Sequence, residues 1–445
     1  MNTTDTIAAP ASAVTGAVAV IRLSGPDALA AAKRVWRGRS DLDDPKNIRK
    51  LLLGKVGDAP TLAVYMQAPH SYTGDDVVEL QCHGGAAAAR AVLSSVLAAG
   101  CRMAEPGEFT FRAFVNGKLD LVQAEAVADV VRSGSDAALK LAENQLAGRL
   151  SEQLEKLYRD INAFRSECEA RLDFPDEELD FSSGVPEALT DARKLTDELL
   201  ATLPAGAALR SGVSIVLAGR PNSGKSSLLN LLAGRDRAIV SDIPGTTRDT
   251  VECDAVIRGL PVRLTDTAGL RESSDVIEKL GVERSRRSIA GAQIVLWLLD
   301  LASPEPEEET AELLRSAPAG TVAVWNKIDL ARGKTPPELP EKFPVVSISA
   351  KTGENIEGLY DAVMNRLFAA ARPEFPEVAL NARAGRELEK TRTALEAAAQ
   401  RFADGNYELA AEESARAARA VGVIVGRYAD PNLLDEVFRN FCIGK

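Results

Sequence analysis

The chain has too few bases for its acids, few cysteines, almost no histidine and no long apolar run. It carries 53 Lys and Arg against 64 Asp and Glu, a net charge of −11. A protein that holds nucleic acid by itself usually shows a basic field. Any RNA contact here is therefore expected to be local or shared with a partner. Residues 1–118 are close to charge balance, so the remainder carries the negative charge. The five cysteines, Cys82, Cys101, Cys168, Cys253 and Cys442, are scattered and lack a CxxC spacing. That pattern argues against a disulfide framework and a cysteine zinc site, and for a reducing cytoplasm. The two histidines, His70 and His83, are read as structural. The longest apolar candidate, "IVLWLLDLA" from Ile294, contains Asp300 and is too short to span a membrane. It reads as a buried strand, and no membrane partner is expected. "MNTTDTIAAP" at the start has an acid and no base, unlike a secretory signal.

The end of the chain, "FCIGK", places a cysteine four residues from the last. A prenylation box needs two aliphatic residues after the cysteine and a permitted final residue. Gly444 and Lys445 do not fit, and no polybasic run lies nearby. Cys442 is left as a structural thiol or an active-site group.

What is present suits a soluble globular protein of two to four domains: 445 residues, 45% hydrophobic and 26% charged. Residues 1 to about 118 mix β-rich runs ("AVAVIRL", "TLAVYMQA", "DVVELQC") with one Ala-rich helix, an α+β texture. From about 119 to 210 the spacing is helical, as in "LDLVQAEAVADVV" and "LAGRLSEQLEKLYRDINAF". "DFPDEELDF" interrupts it as an acidic connector in which Pro175 forbids a continuous helix. From 211 to 371, apolar strands alternate with helical stretches, which predicts a mainly parallel sheet with crossover helices. From 372 to 445 the chain is helical again, with Leu388, Leu395 and Phe402 at heptad spacing on one face. The last helical segment is short for a core of its own. The α/β unit is therefore expected to be inserted into a helical domain made of residues 119–210 and 372–445, rather than to be the second of three domains in series.

"GRPNSGKSS" follows the strand "VSIVLA" and opens a helix, matching GxxxxGK[ST] in its required context. By composition alone such a match arises in roughly one chain in a hundred of this length. Glycines allow the loop amides to point at phosphate, and the helix N-terminus adds positive partial charge. Asn222, Ser223, Gly224, Lys225, Ser226 and Ser227 form this loop and helix start. Lys225 is expected on the β- and γ-phosphates, and Ser226 on Mg2+. Four further segments support the assignment. Asp266, Thr267, Ala268 and Gly269 form "DTAG" at a strand end. Asn326, Lys327, Ile328 and Asp329 form "NKID". Ser349, Ala350 and Lys351 form "SAK". "GTTRD", residues 245–249, holds threonines that can complete Mg2+. The Asp329 carboxylate only accepts hydrogen bonds. Guanine offers it two adjacent donors and adenine does not, so the nucleotide is read as GTP. Leu270 follows DTAG where many GTPases place a water-orienting Gln. Arg248 is one candidate finger, and Glu272, Asp275 and Glu278 are candidates for the missing polar group.

Together these motifs resemble one family, the tRNA-modifying GTPases MnmE, also called TrmE. The resemblance rests on "GRPNSGKSSLLN", "DIPGTTRD", "DTAGLRE" and "NKID". It also rests on "SYTGDDVVELQCHGG", "PGEF", "NGKLDLVQAEAVAD", "DFPDEELDF" and the terminal "FCIGK". It implies an N-terminal domain that dimerises and binds a tetrahydrofolate (5-formyl or methylene form), a helical domain, and an inserted G domain. It implies a homodimer working with an FAD-dependent partner, MnmG, in a heterotetramer or larger complex on tRNA in the cytoplasm. A K+ ion would supply the charge that other GTPases take from an arginine finger. Carried over, the K+ ligands are Asn222, Ser241, Ile243 and Thr246, and Mg2+ takes Ser226 and Thr247. Glu278 would orient water. The folate site would draw on Arg22, Glu79, Lys118 and Lys445, with Cys442 an active-site thiol beside it. The chemistry implied is an aminomethyl-type group on carbon 5 of the wobble uridine.

Three departures stand out. The loop "PASAVTGAVAV" before Arg22 is poor in glycine, Phe111 stands where a charged residue is usual, and in the K+ loop Pro244 stiffens the backbone while Ser241 replaces a more familiar Thr. A GTPase switch that binds RNA without modifying it is the rival reading. Against it stand the lack of an appended basic module, the N-terminal segment, and a terminal cysteine without a role in a switch.

Overall fold

The computed structural model describes residues 3–173, 186–235, 252–266, 289–304, 317–331, 334–337, 339, 343–369, 373–439 and 441–445. The chain forms two compact units. The first joins Met1–Val131, Ala142–Glu198 and Arg383–Lys445; the second joins Arg132–Leu141 and Leu199–Ala382.

The first unit begins with strands β1 (Ile7–Pro10), β2 (Val18–Ser24), β3 (Trp36–Gly38), β4 (Leu52–Val56), β5 (Ala59–Met66), β6 (Val77–His83) and β7 (Arg102–Met103). They form one sheet in the order β3-β4-β5-β6-β2-β1-β7, antiparallel except where β1 meets β7. Side chains alternate between faces with a period of two. Ala8, Ile21, Leu23, Val78 and Leu80 fill one face and are fully buried. They share a core with α1 (Ala28–Val35) and α2 (Ala86–Ala98). The opposite face is read in rows across the register. Leu53, Leu62, Gln81 and Val20 form one row; Val64, Glu79, Arg22 and Ala9 form the next. At the end of that face, Ile7, Ala9 and Ala104 pack against Phe109 of α3 (Glu108–Val115), with Tyr72 beside them. Further along it opens: Leu53 is 70% exposed and Val18 54%.

A polar knot fixes α3 to β1 and β7. Arg112 and Glu108 are both fully buried and lie 3.2 Å apart one helical turn on. Arg112 also donates to Asp5 Oδ1 at 2.6 Å, and Arg102 bridges Asp5 (2.8 Å) and Glu108 (2.6 Å). The hydrogen bond from Arg102 holds the Asp5 carboxyl below its ordinary value. Burial pushes Glu108 upward, but bonds from Arg102, the Glu105 amide and Arg112 outweigh it, and the net shift is downward. Removing one side of such a buried pair costs on the order of 3–5 kcal/mol.

Helices α4 (Leu121–Arg132), α5 (Asp136–Leu146), α6 (Arg149–Asp173) and α7 (Glu187–Leu200) follow. The stretch "LAGRLSEQLEK", periodic as one helix in sequence, is divided at Ala147–Gly148 between α5 and α6. In α6, Leu150, Leu154, Leu157, Ile161, Phe164 and Cys168 recur at three- and four-residue steps and are buried. Burial pushes the Cys168 thiol up to about 11.

The second unit holds α8 (Leu203–Ser211), β8 (Val213–Ala218), α9 (Lys225–Arg235), β9 (Glu252–Ile257), β10 (Leu260–Asp266), β11 (Ile294–Asp300), β12 (Thr321–Asn326), β13 (Val345–Ser347) and α10 (Ile356–Phe368). Its sheet runs β13-β12-β11-β8-β10-β9, parallel throughout except at the β9 edge. Strands buried on both sides read as near-continuous apolar runs, and "IVLWLLD" is β11, as its sequence suggests.

The chain then returns to the first unit as α11 (Ala382–Ala403), α12 (Tyr407–Val425) and α13 (Pro431–Arg439). Leu388, Leu395 and Phe402 all point into the interior. The small residues Ala410, Ser414, Ala417 and Ala418 of α12 are buried, and α12 packs along α6. Arg383 pairs with Glu125 of α4 at 2.7 Å and donates to the Ile424 carbonyl at 2.9 Å. Phe438 and Phe441 close a cluster with Leu121, Ala124 and Val127 of α4.

Candidate nucleotide and terminal-segment sites

In open parallel sheets, ligands bind beyond the carboxyl ends of the strands. The described parts of the nucleotide motifs, residues 219–227, Asp266, 326–329 and 349–351, fall there. β8 ends at Ala218 and α9 opens at Lys225, with the glycine loop between. Gly224 has φ +99°, and a side chain there would strike the Asn326 amide nitrogen. Asn222 also takes the left-handed conformation, at φ +62°, which Asn tolerates better than most residues. The buried Lys225 ammonium donates to the Gly219 carbonyl at 2.9 Å and the Arg220 carbonyl at 2.7 Å. Asp266 ends β10, the parallel neighbour of β8, and accepts from the Ser226 hydroxyl at 3.0 Å. Ser227 is exposed on the first turn of α9, and Ser223 is buried.

Asn326 ties the NKID and SAK segments to this loop. Its Nδ2 donates to the Ser223 carbonyl at 2.8 Å, and its Oδ1 accepts from the Ala350 amide at 2.9 Å. Ser349 donates to Asp329 Oδ1 at 2.7 Å and accepts from the Thr352 amide at 3.2 Å, so the acceptor carboxylate is oriented by a hydroxyl that is itself held. Lys327, at φ +67°, donates to Asp300 Oδ2 at 2.6 Å. The other Asp300 oxygen accepts from the Ala302 amide at 2.9 Å. Sequence reasoning placed Asp300 in a strand and gave it no part in the site; its position as the last residue of β11 was the available signal. Lys351 is exposed beside Ala350. Ser241, Ile243, Thr246, Thr247, Thr267, Ala268, Gly269 and Glu278 lie outside the described residues. The described donor set, loop amides with Lys225 at a helix N-terminus, suits a polyphosphate. Ser226 with Asp266 offers the hard oxygens that Mg2+ takes.

The first unit holds the other predicted residues. Arg22 and Glu79 face each other across β2 and β6, and both Nε (2.9 Å) and Nη2 (2.8 Å) of Arg22 meet Glu79 Oε1. The guanidinium lies over the rings of Tyr72 (5.3 Å) and Phe109 (5.7 Å). Tyr72 is fixed in turn by a 2.8 Å bond between its hydroxyl and Thr110, and burial raises its pKa. Lys118 donates to the Pro69 carbonyl at 3.2 Å, so the loop that supplies Tyr72 also meets Lys118. At the chain end, Gly444 lies against Pro10 and Ala11 just past β1. The Gly107 amide donates to the Cys442 carbonyl at 3.4 Å, and the Lys445 amide donates to the same oxygen at 3.3 Å. Of the five cysteines, only Cys442 is exposed. Tyr72, Phe109 and the knot around Arg112 were not anticipated beyond the "PGEF" run. Phe111, the unexpected aromatic, packs edge-to-face on Phe438 with ring centroids 5.3 Å apart.

Residues 121–442 match the MnmE helical domain, and residues 6–118 match the N-terminus of GTP-binding protein TrmE. The tRNA modification GTPase MnmE of Geobacter sulfurreducens is 42% identical over 456 residues, covering 99% of each chain. The protein of the same name from Chlamydia trachomatis is 38% identical over 435 residues, covering 97% of this chain and 96% of the other. That of Natranaerobius thermophilus is 38% identical across the full length of both.

Proposed function

Since the chain belongs to the MnmE family of tRNA modification GTPases, we propose a specific chemistry for it. GTP hydrolysis stimulated by K+ drives the installation of a (carboxymethyl)aminomethyl-type group at C5 of the wobble uridine of certain tRNAs. An FAD-dependent MnmG acts with it, and a tetrahydrofolate supplies the carbon.

The observation that carries the folate part is the Arg22–Glu79 pair. Both guanidinium contacts end on Oε1, so a donor edge of a pterin can approach Glu79 Oε2. Arg22, stacked on Tyr72 and Phe109, keeps its charge facing the ligand. Lys118 and Lys445 suit the anionic part. When bound, the folate supplies a one-carbon unit; the protein groups hold and orient it. The pair lies where the covered end of the sheet face gives way to its open end. There Leu53 and Val18 are exposed, and Leu62, Val64 and Val20 are partly so. Monomers rarely leave such a patch uncovered, which supports a second copy of this chain as its cover and a homodimer as the working form.

In the G domain, residues 211–371 on our reading, Lys225 and the loop amides neutralise phosphate charge, and Asp329 selects guanine. Mg2+ would sit on Ser226 with Thr247. K+ would be held by Asn222, Ser241, Ile243 and Thr246, and it would supply positive charge at the transferring phosphoryl. Glu278 orients water in place of the Gln that Leu270 replaces. Among the described residues no helix is long and apolar enough to cross a membrane, and a cytoplasmic protein is our reading.

Hydrolysis is expected to run at least tenfold faster in K+ than in Na+, set against the roughly 10³–10⁵ that a finger charge is worth. Equal steady-state rates in the two salts would remove the K+ assignment. For the chemistry, mass spectrometry of wobble uridines from a strain lacking the gene should show loss of the C5 group. Unaltered nucleosides there would leave a GTPase without this purpose.

A further inference from the structure

The chain end is held at two points with an exposed step between them. Phe438 is fully buried and Phe441 nearly so, Cys442 and Ile443 are exposed, and Gly444 is buried again. The upstream hold is α3. Phe438 lies against Phe111 (5.3 Å) and Phe114 (6.3 Å), and Phe441 packs on Phe438 at 5.5 Å. Gly107, immediately before α3, has φ +70°, and its amide reaches the Cys442 carbonyl. A Cβ at Gly107 would lie 2.6 Å from the Phe438 carbonyl, so only glycine lets the terminal turn come this close. The downstream hold is Gly444, at φ +96°, whose Cβ position is already filled by the Pro10 carbonyl. Pro10 follows Ala9, the residue that faces Arg22 in the β1–β2 register.

The same α3 also supports the arginine–glutamate pair. Phe109 stacks on Arg22, and Thr110 fixes Tyr72. Its opposite side holds Phe438, and the Glu108–Arg112–Asp5–Arg102 knot anchors it to the sheet. One rigid helix thus carries aromatic contacts both to the arginine–glutamate pair and to the terminal turn.

We propose that α3 sets the position of the terminal thiol, with Gly107, Phe111 and Phe438 acting as positioning residues for Cys442. This rests on reading Cys442 as a group of the active site. Phe111 belongs to the device. Its ring packs edge-to-face on Phe438, 5.3 Å between centroids, an apolar contact between α3 and the terminal turn. Positioning residues act through geometry, and a displacement of about 1 Å can cost on the order of 10²-fold in rate.

The test uses the full-length protein and three variants: Gly107→Ala, Phe438→Ala and Phe438→Leu. The rate of Cys442 alkylation by iodoacetamide is followed by peptide mass spectrometry, which needs neither tRNA nor partner. GTP hydrolysis serves as the check on folding, and wobble-uridine modification is scored in a complemented deletion strain. Gly107→Ala and Phe438→Ala should each raise the alkylation rate at least threefold and lower modification roughly 10–100-fold, with hydrolysis unchanged. Phe438→Leu, which keeps an apolar side chain in the cluster, should recover most of both. Wild-type alkylation and modification in Gly107→Ala and Phe438→Ala would overturn the proposal. So would a Phe438→Leu variant as impaired as Phe438→Ala. Loss of modification with wild-type alkylation would also count against it, because the thiol would not have moved. If Cys442→Ser keeps normal modified uridine, the reading of the thiol falls by itself; the positioning claim is still decided by the alkylation rates.

Discussion

Replacing Asp329 by Asn is expected to weaken GTP binding by roughly 10²–10⁴ and to abolish the preference for GTP over xanthosine triphosphate. The Ser349 hydroxyl donates to Asp329 Oδ1 at 2.7 Å, so the carboxylate cannot turn away from its ligand. Two charge-assisted hydrogen bonds to guanine N1–H and the 2-amino group are each worth about 1.5–3 kcal/mol. An amide keeps one acceptor and puts an N–H₂ where the second acceptor was. That group faces the 2-amino donor of guanine and is left unmatched. Xanthine carries a carbonyl at that carbon and keeps N1–H, so it pairs with both halves of the amide. Competition against a fluorescent GDP analogue reads the effect directly. An Asp329→Asn protein that still prefers GTP by the wild-type margin would show that guanine is recognised elsewhere. Ser349→Ala should fall between the two, since it releases the carboxylate without changing its chemistry.

The candidate nucleotide site was legible because its parts are contiguous. A phosphate cradle must be one loop between a strand and a helix, so Gly219 to Ser226 declare themselves in a single run, and NKID and SAK do the same. Contacts between distant residues left no such mark. Lys327 meets Asp300 from 27 positions away, and Asp5 meets Arg102 and Arg112 across 97 and 107 positions. No periodicity links such pairs, and each member alone reads as a solvated charge. The helix break at Ala147–Gly148 was hidden because apolar spacing continues through it; a left-handed glycine interrupts a helix without disturbing the pattern on either side. The heptad of Leu388, Leu395 and Phe402 was readable because burial on one face of a long helix imposes that spacing. Phe111 looked like an anomaly in sequence and is a partly buried packing residue in space, because its partner Phe438 comes from the far end of the chain. Arg22 and Glu79 were individually ambiguous; the β2–β6 register makes them a pair.

The second large effect concerns the terminal cysteine. Cys442→Ser should lower wobble-uridine modification by on the order of 10³ or more while GTP turnover stays at the wild-type rate. The residue belongs to the first unit, whereas Lys225, Asp266 and Asp329 belong to the second, so the nucleotide machinery is untouched by the exchange. Serine keeps the size and the hydrogen-bonding capacity of the side chain, and the carbonyl of residue 442 still meets the Gly107 and Lys445 amides. A group needed only to fill space or to hold the turn would therefore survive the change within a few-fold. A thiol is a nucleophile through its thiolate, which forms near pH 8.5 when unperturbed, far below the range of an aliphatic hydroxyl. The size of the loss thus separates the two roles. Near-complete loss assigns bond-forming chemistry to the sulfur. A loss of only a few-fold makes the residue a positioning group. Full retention, measured on nucleosides from purified tRNA, would place Cys442 among the structural thiols with Cys82, Cys101 and Cys168, which are buried as such thiols usually are.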